Sequence, residues 1–145
     1  MFQKILYPTD FSDVSKKALD YIKQLKESGA NEVVVLHVLD QRATDALHRF
    51  MEDRKLQQLK ENRKKEAAKM LTGIEKELKK ASLTVKTIIK TGVPVREILR
   101  VEKEEDVSVM VIGSHGMSNL EEIFLGSVSE KVIRRCTKPV LVIKR

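Results

Sequence analysis

The run Val109-Met110-Val111-Ile112-Gly113-Ser114-His115-Gly116 ends a stretch of apolar residues in two glycines, and nine residues later Gly126-Ser127-Val128-Ser129 opens a helical pattern. Glycines at Gly113, Gly116 and Gly126 suit turns with positive φ and let an oxyanion approach the backbone. The N–H groups of Ser127, Val128 and Ser129 point out of a first helical turn, each worth about 1.5 to 3 kcal/mol toward a charged acceptor. The hydroxyls of Ser127 and Ser129 can add contacts, and the helix dipole contributes up to roughly 2 kcal/mol where water is excluded. Two turns meeting in this way make a phosphate cradle.

A second polar turn, Pro8-Thr9-Asp10, follows the first apolar run. Asp10 there suits ribose hydroxyls or a magnesium-bound water, and equally an ordinary turn aspartate. Val38 offers an apolar wall or a backbone contact for a base, with core packing as its alternative role. His115, between two glycines, is placed to touch a phosphate or simply to sit exposed in a loop. The three histidines, His37, His48 and His115, form no pair at zinc-ligand spacing. The glycines are not a Walker A loop, because no lysine stands where that motif needs one, and no G-x-G-x-x-G follows the first strand.

Such turns need a sheet to hold them, and five short β-type runs alternate with helical ones in the manner of parallel βαβ units. Strand one is Lys4–Tyr7, stopped by Pro8, and Ser12 caps a helix whose buried face is Ala18, Leu19, Ile22 and Leu25, ended by Gly29. Glu32–Leu39 is nearly continuous in apolar residues, as a central strand covered on both faces should be. From Ala43 to Lys80 the pattern is helical, with a polar middle at Glu52–Glu66 that predicts a kinked, projecting or poorly ordered section. Thr84–Ile89 alternates like an edge strand, Pro94 opens the next helix, and Val107–Ile112 runs into the glycine turn. Ser118 caps a short helix to Leu125, a second runs from Gly126-Ser127 to Arg135, and Lys138–Ile143 closes the sheet. For both polar turns to serve one ligand, strands one and four must be neighbours. Right-handed crossovers provide that in the order 3-2-1-4-5, a three-layer, five-stranded parallel α/β domain over residues 1–145.

Bulk properties set the remaining limits. At 145 residues, with 41% hydrophobic and 34% charged residues, the chain fits one globular domain. The absence of a long apolar run or signal-peptide layout, and the lone Cys136, point to a cytoplasmic protein without a membrane segment. A net charge of +7 invites a nucleic-acid reading. Lys60, Arg63, Lys64, Lys65 and Lys69 are, however, mixed with Glu61, Glu66, Glu75 and Glu77, and no aromatic platform accompanies them, which argues for a solvated helix face instead.

The residues resemble the ATP-binding subgroup of the universal stress protein family. Its signature Gly-x2-Gly-x9-Gly-(Ser/Thr) is matched at Gly113, Gly116, Gly126 and Ser127. The likeness extends through Ile5–Ser12, Leu36-His37-Val38, Thr91-Gly92-Val93-Pro94 and Lys138–Val142. It implies a Rossmann-like, adenine nucleotide alpha hydrolase-like sheet, with ATP and a magnesium or manganese ion in the crevice. It further implies a homodimer, a protein partner of unknown identity and a regulatory role. Carried over by position, Pro8, Thr9, Asp10 and Val38 surround the adenosine, with Asp10 near the metal, and Gly113, His115, Gly116, Gly126, Ser127, Val128 and Ser129 hold the phosphates. Many members carry arginine where His115 stands, and the segment from about 42 to 80 is the family's variable part. Dimerisation has its own physical motive, since the edge of Val140–Ile143 is open to a symmetric copy. The competing functions are a slow or partner-activated ATPase, phosphoryl or adenylyl transfer with Asp10 as metal ligand, and a nucleotide-free scaffold using the basic helix.

Overall fold

The computed structural model describes residues 1–115 and 126–145. Its elements run β1 (Lys4–Pro8), α1 (Asp13–Leu25), a 3-10 turn (Lys26–Ser28), β2 (Glu32–Asp40), α2 (Gln41–Leu47), α3 (Asp53–Lys80), β3 (Thr84–Gly92), α4 (Pro94–Glu104), β4 (Val109–Gly113), α5 (Ser127–Arg135) and β5 (Val140–Ile143). All five strands are parallel in the order β3-β2-β1-β4-β5. β1 and β4 are therefore neighbours, as a shared ligand for their two turns requires. The expected short helix from Ser118 to Leu125 lies outside the described residues.

The sheet is a septum between two apolar layers. On one face Ile5, Tyr7, Val33 and Val35 pack with Ala18, Leu19 and Ile22 of α1 and Leu71, Ile74 and Leu78 of α3. On the other, Leu6, Val34, Leu36, Met110 and Ile112 pack with Val95, Ile98 and Val101 of α4 and Val132 of α5. The alternation of side chains along each strand sends every second residue to one layer, which is why β2 reads as unbroken hydrophobic sequence.

Local signals end the elements where expected. The Ser12 side chain accepts from Ser15 N–H at the start of α1, Gly29 closes the following turn at φ 100°, and Pro94 opens α4. The long helical segment departs from expectation. It breaks at His48–Glu52, and α3 then runs without interruption from Asp53 to Lys80, so the polar middle is helical throughout. Within it residues 60–66 are all exposed while Leu56 and Ala67 are buried on either side, so these two turns project from the body. Among the described residues, no helix is long and apolar enough to cross a membrane.

Candidate functional site

β1 stops before β2 does. Pro8 pairs with Leu36 as the last rung, and the Thr9 N–H donates to the Leu36 carbonyl at 2.8 Å. Backbone groups on a strand alternate sides, so the N–H and C=O of Val38 also face the β1 side, where β1 has already turned away. A donor and an acceptor are thus left at the carboxyl edge of the sheet.

The turn after β1 is rigidly built. Thr9 Oγ1 accepts from Ser15 Oγ at 2.6 Å and from Phe11 N–H at 3.1 Å, and Asp10 Oδ1 accepts from Ser12 N–H at 3.0 Å. The Tyr7 hydroxyl donates to the Ser15 carbonyl beneath them. His37 Nδ1 lies 2.7 Å from the Thr9 carbonyl, which can only accept, so this nitrogen carries the proton. Phe11, at φ 65°, stacks its ring on His37 with centroids 4.3 Å apart. Each bond restrains where Asp10 stands, and leaves its second carboxylate oxygen without a partner among the described residues.

The turn after β4 is tied to α5 twice. Gly126 N–H donates to the Ser114 carbonyl at 2.7 Å, and Ser129 Oγ donates to the Gly113 carbonyl at 2.7 Å. Within α5 the Glu130 N–H reaches the Gly126 carbonyl, so the amides of Ser127, Val128 and Ser129 precede the helical ladder. Ser114 Oγ lies 2.7 Å from His115 Nδ1. His115 is 9% exposed, and its Nε2 is buried with no hydrogen-bond partner among the described residues. If the serine donates to Nδ1, the imidazole presents Nε2–H, a donor that an anion would satisfy.

These pieces enclose a cavity of about 370 Å³. Pro8, Thr9, Asp10, Val38, Gly113, His115, Gly126, Ser127, Val128 and Ser129 all line it, while Gly116 lies outside the described residues. Two details correct the sequence reading. Neither Gly113 nor Gly126 has positive φ; the described glycine that does is Gly29. A Cβ on Gly113 would instead come 3.1 Å from Val14 Cγ1 and 3.4 Å from Ser15 N, so its bare backbone serves the packing of α1 against β4. The hydroxyl proton of Ser129 is likewise committed to the Gly113 carbonyl and not free for a ligand.

Ser15, Leu36, Asp40, Pro94, Ile98 and Ile112 also line the cavity and were not anticipated. Asp40 was findable, because it stands two and four residues beyond Val38 and Leu36 on the same strand face. Pro94 and Ile98 come from a helix more than fifty residues further along, and no local pattern joins them to β2. Arg42 donates from Nε and Nη2 to Asp40, and these hydrogen bonds hold the Asp40 carboxyl below the usual carboxylate range. Among the described residues no group of three or more metal-ligating side chains occurs.

The family model for the universal stress protein family matches residues 1–144. The chain belongs to that family. It is 41% identical over 157 residues to the universal stress protein MJ0577 of Methanocaldococcus jannaschii, a match that covers all of this chain and 96% of the relative. The solved structure of MJ0577 superposes with a TM-score of 0.91 at 43% identity, covering 100% of this chain and 97% of that one. The universal stress protein YxiE of Bacillus subtilis is 36% identical over 148 residues, covering 99% of this chain and all of YxiE. A universal stress protein of Archaeoglobus fulgidus solved in complex with dAMP shares the fold at 21% identity, with a TM-score of 0.66 and coverage of 99% and 98%.

Proposed function

We propose that this universal stress protein binds ATP across the carboxyl edge of its sheet and acts as a nucleotide-dependent regulatory switch. The polarity of the cavity carries the reading. One end holds the Nε2 of His115, unpartnered among the described residues, and the first amides of α5; the other is apolar, walled by Leu36, Val38, Pro94 and Ile98, with the Val38 backbone donor and acceptor at its edge. β2 and β4 flank β1, so the two ends lie about 10 Å apart at two inter-strand spacings, a separation suited to a base and a phosphate tail. The dAMP held by the Archaeoglobus fulgidus protein is consistent with an adenine nucleotide in this fold.

In this reading Pro8, Thr9, Asp10 and Val38 surround the nucleoside, and Gly113, His115, Gly116, Gly126, Ser127, Val128 and Ser129 hold the phosphates. A magnesium or manganese ion brought in with the triphosphate would find the Asp10 oxygen that has no partner among the described residues, and a single carboxylate suits an ion that keeps most of its ligands as water and phosphate. Among the described lining residues there is no lysine or arginine to neutralise charge on a transferring phosphoryl group, which favours a switch over a transferase. β5 stands at the sheet edge with Leu141 37% exposed, and a second copy pairing there would complete the homodimer.

The test is the identity of any nucleotide released when the purified protein is denatured, together with calorimetry of ATP with and without magnesium. Expected are co-purified adenine nucleotide or saturable ATP binding, weakened about tenfold by His115→Ala through loss of one hydrogen bond to a charged group. An empty protein that gives no heat and no melting shift with ATP overturns the reading.

A further inference from the structure

β2 outruns β1 by four residues, and its side chains alternate, so Leu36, Val38 and Asp40 stand in line on the face that α4 covers. Leu36 and Val38 pack with the apolar layer of α4, and the cavity begins where that layer ends. Asp40 is the one charged side chain that lines the cavity from β2 or α4. It is set against Pro94, Ile98 and Val38, none of which carries a polar side chain. A single carboxylate at the apolar end of a cavity fixes the orientation and choice of what enters there.

The carboxylate is held in place from behind. Asp40 Oδ1 accepts from Arg42 N–H and Nε at 3.0 Å each, which also caps α2, while Oδ2 takes one bond, from Arg42 Nη2 at 2.8 Å. Oδ2 therefore has acceptor capacity left, and an ionised carboxylate can only accept. Beside it the Val38 N–H and C=O offer one donor and one acceptor along the strand edge.

We propose that Asp40 reads the nucleobase, its Oδ2 accepting one N–H of an exocyclic amine whose other N–H goes to the Val38 carbonyl. The site then selects a 6-aminopurine over purines that lack that amine or carry an oxygen in its place. Arg42 is a positioning residue in this arrangement, holding the carboxylate ionised and turned to the cavity. The inference rests on the ATP reading and adds to it the side chain that chooses the base.

A chemical double-mutant cycle tests it. Wild type and Asp40→Ser are each titrated by calorimetry with ATP and with purine riboside 5′-triphosphate, which lacks the amine. Serine caps a helix as well as aspartate does but is too short to reach the base, so α2 stays capped. Loss of the amine should weaken binding to wild type about fiftyfold, and to Asp40→Ser, which keeps only the bond to the Val38 carbonyl, about fivefold. Equal losses in the two proteins overturn the role of Asp40 while leaving ATP binding standing. A wild type that prefers GTP, with the preference abolished in Asp40→Ser, overturns the adenine assignment, since the carboxylate would then accept from guanine N1–H and the 2-amino group. Wild type that binds no nucleotide at all overturns the ATP reading and this inference with it.

Discussion

The Ser129 hydroxyl donates to the Gly113 carbonyl at 2.7 Å, closing a span of 16 residues and joining the first turn of α5 to the end of β4. With the Gly126 N–H on the Ser114 carbonyl it makes one rigid corner out of two turns. The amides of α5 are aimed by this corner and not by the helix alone. Ser129→Ala should cost about 1 kcal/mol of stability and, if the proposed site holds, lower ATP affinity about fivefold, because the corner loosens while every amide of the first turn of α5 remains. Chemical denaturation and calorimetry measure the two effects, and an affinity unchanged beside a lowered stability would mean the corner does not aim the helix.

Gly113 and Gly126 should separate fold from site. Gly113→Ala sets a Cβ 3.1 Å from Val14 Cγ1 and 3.4 Å from the Ser15 backbone, so the Val14 side chain must give by a few tenths of an ångström; the expected cost is about 1–3 kcal/mol of stability. Gly126, at φ −59° and ψ 153°, occupies backbone space open to any residue. Gly126→Val should therefore fold normally yet abolish ATP binding, by placing a branched side chain where the proposed site holds the phosphates. Melting curves and calorimetry on both variants decide this, and a Gly126→Val protein with wild-type affinity would remove the phosphates from that corner.

Tyr7 gives an alkaline signature. Burial pushes its phenol above the ordinary value of about 10, since the fully buried ring has no water for a phenolate. Above that pH the unfolded chain loses the proton before the folded one does, so ν_U falls below ν_N and stability declines as pH rises. Stability measured by denaturant between pH 9 and 11 should fall in wild type and fall less steeply in Tyr7→Phe. Parallel curves would mean that other groups carry the alkaline loss. Tyr7→Phe should also start lower, having left the Ser15 carbonyl without its donor.

Glu102 fastens the entry to the edge strand. It is 1% exposed; Oε1 accepts from the Thr137 N–H at 2.8 Å, Thr137 Oγ1 at 3.0 Å and the Lys138 N–H at 2.9 Å, while Oε2 has no partner among the described residues. Glu102→Gln keeps the accepting oxygen and should change stability by less than about 1 kcal/mol. Glu102→Ala takes the acceptor from two backbone N–H groups and one hydroxyl and should cost about 1–3 kcal/mol. A denaturation series settles it, and similar losses in both variants would show that charge, not the accepting oxygen, is what the loop needs.

Much of this molecule was legible from local pattern. Alternation along β2, the Ser12 cap, the Gly29 stop and Pro94 at the head of α4 are short-range effects, each contained within a few residues. Strand order followed from one further condition, that the turns after β1 and β4 share a ligand, and the sheet has that order. Of the kinked, projecting or poorly ordered section expected in the polar middle of α3, the projecting form is the one seen: a helix anchored by Leu56 on one side and by Ala67, Leu71 and Ile74 on the other carries its exposed turns without an inward face of their own.

Spacing and residue type alone thus specified the kind of elements, their order and the two polar turns. Folding decided why Gly113 is glycine, where the Ser129 proton goes and that Asp40 closes the far end of the cavity. Val14 meets Gly113, and α4 meets β2, only after the chain has crossed the sheet. Contacts between residues so distant in sequence leave no periodicity to read, since they are set by how the layers pack and not by the few residues on either side.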